Sequence, residues 1–74
     1  MADLADMMDE NSVRLEVEVI KMDDQSMLVE YEGEQEWIPY SLIEEESEIT
    51  EFSEDGEEGA LVIPRWKAED VGFV

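Results

Sequence analysis

The sequence predicts a small, mainly β domain: five short strands bent into a barrel, a 3₁₀ turn near residues 40–42 and a short C-terminal helix. Three observations predict it. Apolar and charged residues alternate over positions 13–20 at the two-residue period of a half-buried strand. Turn-forming clusters punctuate the chain at Asp23-Asp24-Gln25-Ser26, at Gly33-Glu34 and from Glu54 to Gly59. Pro39 and Pro64 each follow an aliphatic run and end it, because proline fixes φ and lacks the donor that a ladder needs.

Residues 1–12 carry Asp3, Asp6, Asp9 and Glu10, with Leu4, Met7 and Met8 at helical spacing. An uncapped terminus of this length is expected to be a flexible acidic segment, leaving residues 13–74 as the barrel domain. In the first strand Val13, Leu15, Val17 and Val19 form the buried face, and Arg14, Glu16, Glu18 and Ile20 the other. Met27 to Glu32 makes a second strand, with Met27, Val29 and Tyr31 on one side and Leu28, Glu30 and Glu32 on the other. A tight turn at Gly33-Glu34 leads into a third strand, Gln35 to Ile38, so residues 13–38 form an antiparallel meander. On this reading Glu16 and Glu18 share a strand face, as do Glu30 and Glu32, with Glu34 and Glu36 at the same spacing beyond the turn.

Trp37 to Ile43 joins aromatic and aliphatic bulk to a proline between two acidic stretches. Pro39 biases Ile38 toward extended geometry and ends the strand there. A 3₁₀ turn over Tyr40 to Leu42 would return Ile43 to the core. From Glu44 to Glu58, nine of fifteen residues are acidic. Ile49 and Phe52 interrupt this block, so Glu48 to Phe52 reads as a short fourth strand. Ala60 to Ile63 reads as the fifth. Pro64 can open a helix at its first turn, running through Arg65 to Val71, with Gly72 as a left-handed cap and Phe73 folding back onto the body. Trp66 and Val71 are expected to seal one end of the barrel.

The charge balance bounds function. Twenty-three Asp and Glu oppose four Lys and Arg, a net −19, so the field repels nucleic acid and anionic membrane alike. Apolar residues make up 43% of the chain and fall in patterned blocks, which favours a folded core under an acidic coat over disorder. No apolar run approaches the roughly 18 residues of a membrane span. The first residues are acidic where a signal peptide would be basic. With no cysteine or histidine, thiolate and imidazole chemistry and disulfides are absent. Placing Gly56 at the sixth position of a calcium loop puts Glu51, Ser53 and Asp55 at the first, third and fifth. It puts Val62 where a bidentate glutamate is required, so no metal or cofactor is expected. There is no phosphate-binding glycine loop and no nucleophile elbow, and a chain of this length offers little room for a substrate cleft, so no enzymatic activity is expected.

The order Ile38-Pro39-Tyr40-Ser41-Leu42-Ile43 resembles the 3₁₀ turn that SH3 domains carry before their last strand, which implies an SH3-like or OB-like barrel. The acidic Ala-Leu-Tyr-Asp-Tyr-like opening strand of those domains is missing. A second resemblance spans positions 36–72. Glu36-Trp37-Ile38-Pro39-Tyr40-Ser41-Leu42-Ile43, an acidic spacer, and Leu61-Val62-Ile63-Pro64-Arg65-Trp66 closing at Gly72 are similar to a group of small acidic proteins of phage and mobile-element genomes. Lys67 departs from that pattern, where an aliphatic residue is commoner. The resemblance implies a phage-like setting in the cytoplasm of a bacterial host, and it carries no activity or catalytic residue.

A surface of this kind suits a cationic partner. Alternate residues on a strand stand about 6.7 Å apart and neighbouring strands about 4.8 Å, against one charge per about 3.4 Å of axis on a single DNA strand. The expected partner is a basic nucleic-acid-binding protein of the host, such as a CRISPR effector or a restriction enzyme, inhibited by mimicry of nucleic acid. The partner-binding residues expected are Glu30, Glu32, Trp37, Tyr40, Glu44, Glu45, Glu46, Glu48, Glu51, Glu54, Asp55, Glu57 and Glu58, on a monomer or weak dimer. The competing expectation is a structural or adaptor module whose acidity serves solubility alone.

Overall fold

The computed structural model describes residues 11–74, and the expectation for the N-terminal segment falls, over residues 1–10, outside them. Four antiparallel strands, β1 (Ser12–Met22), β2 (Ser26–Tyr31), β3 (Glu34–Pro39) and β4 (Glu58–Pro64), form one sheet in the order β3-β2-β1-β4. A 3₁₀ turn (Tyr40–Leu42) follows β3, and the helix α1 (Arg65–Asp70) follows β4. The meander and the proline turn match the sequence reading, with β1 beginning at Ser12. Two features differ. The sheet is open rather than closed into a barrel, and it has four strands among the described residues rather than five.

The alternation in β1 does what its period dictates. Leu15, Val17 and Val19 are buried, together with Met27 and Val29 of β2 and Ile38 of β3. Each such side chain contributes about 1.5–3 kcal/mol when fully removed from water. A bulge between Val19 and Lys21 then shifts the register. It sets Lys21 against Leu28 and Met22 against Met27, so Met22 reaches the core while Lys21 stays exposed. The β2–β3 turn centres on Glu32 (φ 51) and Gly33 (φ 87), both left-handed as a two-residue hairpin of the I′ type requires. It therefore sits one residue earlier than the Gly33-Glu34 turn expected, and Tyr31 pairs with Glu34.

Glu48 to Phe52 forms bends and turns instead of a strand. The physical reason lies in how this segment meets β4. Glu44 N–H donates to Val62 O (2.9 Å), and Glu48 and Ile49 N–H both donate to Ala60 O (2.8 and 3.1 Å). In the other direction the donors of β4 are met by side chains: Val62 N–H by Ser47 Oγ (3.2 Å), and Ala60 N–H by Glu48 Oε1 (2.9 Å). The segment occupies the place of a fifth strand without strand geometry, and it covers an edge that would otherwise be open to pairing. Ile49, fully buried, pins it to the core. Gly59 leaves the room this needs: a Cβ there would stand 3.1 Å from Glu48 Oε1 and 3.4 Å from Ile49 Cδ1.

Pro64 ends β4 and stands at the cap of α1, with Arg65 the first helical residue. Gly72 (φ 85) closes the helix, its N–H donating to Glu69 O (3.2 Å) and that of Phe73 to Ala68 O (2.9 Å), a Schellman pair. Phe73 folds back as expected and meets Tyr31, ring centroids 5.4 Å apart. Val71 packs against the core, but Trp66 is 59% exposed and seals nothing; Ala68 and Phe73 fill that place. Among the described residues no helix is long and apolar enough to cross a membrane.

Candidate functional site

The registers of the sheet place carboxylates side by side on its outer face. Glu58 of β4 pairs with Glu18 of β1, and Glu18 pairs with Glu30 of β2, which in turn faces Gln35 of β3. Directly opposed like charges destabilise a sheet by a few tenths of a kcal/mol or more per pair. Among the described residues the ion pairs with resolved geometry are Arg14–Glu48 and Lys67–Asp70, both at 3.7 Å, and neither touches this row. Gln35 Nε2 donates a long 3.4 Å hydrogen bond to Glu30. Glu16 follows Glu18 on the same face, opposite Ala60, and Glu32 lies at the adjoining turn. Glu16, Glu18, Glu30, Glu32 and Glu58 thus line one shallow depression of about 300 Å³. Among the described residues no group of three or more is arranged to hold a metal ion.

The row beside it runs from exposed Lys21 through Leu28 to Trp37. Leu28 pairs with Trp37 on the same face, and the indole is 42% exposed. Tyr40, expected alongside Trp37, is instead half-buried and tied to the β1–β2 turn. Its N–H donates to Gln25 O (3.0 Å) and its hydroxyl to Asp23 O. Burial holds its phenol above the usual tyrosine range, and the carboxylates of Asp23, Glu51 and Asp24 push the same way.

Glu34 and Glu36 do not join the outer face. Their partners are Tyr31 and Val29, so they stand on the core side at the sheet's edge. The cause is the two-residue turn itself, which pairs odd-numbered residues of β2 with even-numbered residues of β3 and so sets Glu34 and Glu36 on the side of Tyr31 and Val29.

The acidic block divides in two. Glu44 accepts a 2.8 Å hydrogen bond from the Ser12 hydroxyl, and Glu48 joins the Ala60 N–H to Arg14, so both belong to the frame. Glu57 accepts from Glu54 N–H (3.2 Å) inside its own turn. Glu45, Glu46, Glu51, Glu54 and Asp55 are exposed. The chain then returns to β1, Val19 N–H donating to Glu57 O (2.8 Å) and Gly56 N–H to Val19 O (2.6 Å), which delivers Glu58 to the sheet face.

Of the residues expected to bind a partner, the structure gathers Glu30, Glu32, Glu58 and Trp37 on or beside one face. Glu16 and Glu18 join them without being among the residues expected to bind, although their two-residue period is the signal that places them on this face. Phe52, assigned to a strand, is 85% exposed beside a groove lined by Tyr40, Ile43, Glu44, Glu45, Thr50 and Glu51. The chain matches no family model, no curated protein and no solved structure.

Proposed function

We propose that this protein is an acidic inhibitor that occupies the cationic groove of a nucleic-acid-binding protein. It acts as a nucleic-acid mimic and as a binding protein rather than an enzyme. The observation that carries the reading is the in-register row Glu58, Glu18 and Glu30, widened by Glu16 and Glu32. Three carboxylates spaced at about the 4.8 Å interstrand distance are somewhat sparser than the charges of one DNA strand. Their alignment lowers the stability of the free chain, and a cationic partner would relieve that repulsion. The phage-like resemblance supplies the setting: a host defence complex, either a CRISPR effector or a restriction enzyme, in the bacterial cytoplasm.

The experiment is capture of partners from a bacterial lysate at low salt, followed by competition with duplex DNA. Recovery of a basic nuclease or effector complex, displaced by DNA and by salt between roughly 50 and 500 mM, supports mimicry. Partners that are indifferent to DNA and salt, held instead through exposed Trp66, would make the chain an adaptor.

A further inference from the structure

We infer that the groove beside Phe52 is a docking site for an arginine side chain of the cationic partner. The inference rests on the mimicry reading and assigns it a specific anchor.

An exposed phenylalanine at the tip of an ordinary loop is unremarkable; this one is held in place. Ile49, fully buried, roots the turn in the core three residues before it. Thr50 N–H donates to Ser53 Oγ (2.9 Å), Ser53 N–H to Thr50 O (3.0 Å) and Phe52 N–H to Thr50 Oγ1 (3.1 Å). The ring is therefore presented with its backbone already ordered, which lowers the entropy lost on binding. The groove it borders, about 360 Å³, has Ile43 and Tyr40 as apolar lining and Glu44, Glu45 and Glu51 as acidic lining.

Charge complementarity selects the occupant. An apolar partner side chain could cover Phe52 but would leave the carboxylates facing it without a counter-charge. A lysine would answer the charge, yet its compact, strongly hydrated ammonium stacks poorly on an aromatic ring. A guanidinium satisfies both requirements, lying flat on the ring while its fork donates to carboxylate oxygens. The groove thus differs from the sheet face, where five glutamates with Val17 and Gly33 line the depression and no aromatic ring distinguishes one cation from another.

The test titrates the isotope-labelled full chain with short oligoarginine and with oligolysine of equal length, following backbone amide shifts. Oligoarginine is expected to shift Phe52, Glu51 and Ile43 and to bind about two- to fivefold more tightly than oligolysine, the size of an exposed cation–π contact. Phe52→Leu should remove that preference at unchanged melting temperature, and Phe52→Tyr should retain it. Equal binding of the two oligocations, or a preference that survives Phe52→Leu, overturns the inference. In that case a steep salt dependence for both leaves the mimicry reading standing, whereas failure of both to bind at low salt removes the two readings together.

Discussion

The sheet face gathers five carboxylates and the 44–58 segment nine, Glu58 belonging to both, and the two regions use them differently. On the sheet, Glu58, Glu18 and Glu30 oppose one another across three strands, apart from every resolved ion pair. In the segment, Glu44 and Glu48 accept hydrogen bonds that fasten an irregular stretch to β4. The lesson is that local acid density does not locate an interaction surface. The denser region spends part of its charge on architecture, and the sparser one sets like charges opposite one another with neither of the ion pairs Arg14–Glu48 and Lys67–Asp70 among them.

The largest expected difference between the two comes from removing a fastening. Ser47 is buried, and its hydroxyl lies 2.7 Å from Ile49 O and 3.1 Å from Ala60 O while accepting from Val62 N–H. Ser47→Ala strands that buried donor and should destabilise the domain by about 1–3 kcal/mol, measured by urea unfolding. No loss of stability would show that the segment is only draped over the edge. A smaller effect of opposite sign is expected on the sheet. Glu30→Gln removes one like-charge opposition and Glu18→Gln removes two, and each should stabilise by about 0.2–1 kcal/mol, more at low salt than at high. A destabilising result would mean the row is internally compensated.

Legibility from sequence follows the same division. The period-two pattern of Val13 to Val19, the proline at 39 and the glycine at 72 act locally, so β1, the 3₁₀ turn and the helix cap were readable. The fastening of Ser47 and Glu48 to Ala60 and Val62 joins residues more than ten positions apart through side chains. No periodicity announces such a contact, and the apolar Ile49 made a strand the natural reading. The outer face was legible in part. Glu18 and Glu30 follow from alternation, and a two-residue turn already sets Glu36 on the core side, but the turn's place depended on Glu32 adopting φ 51, which a non-glycine residue seldom does. Trp66 failed for a further reason: six helical residues bury only Ala68, and the bulk expected of the indole is supplied by Phe73.

The smallest expected effect touches both regions through their tyrosines. Burial raises the Tyr31 phenol above 10.0, with the charge of Glu32 and a hydrogen bond to it adding to the shift, and burial raises Tyr40 likewise. A phenol raised by folding keeps its proton in the native state after the unfolded chain has lost it. Its contribution to stability is therefore complete below the unfolded value and declines as pH rises toward the folded one. Melting temperature should fall above about pH 10, and less steeply in Tyr31→Phe and Tyr40→Phe. A flat alkaline profile in the native sequence would contradict this.

The comparison stands or falls on whether the sheet face is the surface a partner reads. Glu18→Lys, Glu30→Lys and Glu58→Lys combined reverse the row while preserving its mutual repulsion, so the fold should be retained. Measured beside the native chain, this variant should lose the DNA-displaceable capture of basic proteins from lysate. Reversal of Glu45 and Glu46, in the exposed part of the segment, should weaken it only modestly. Undiminished, DNA-sensitive capture by the row-reversed variant, with its melting temperature unchanged, would contradict the account.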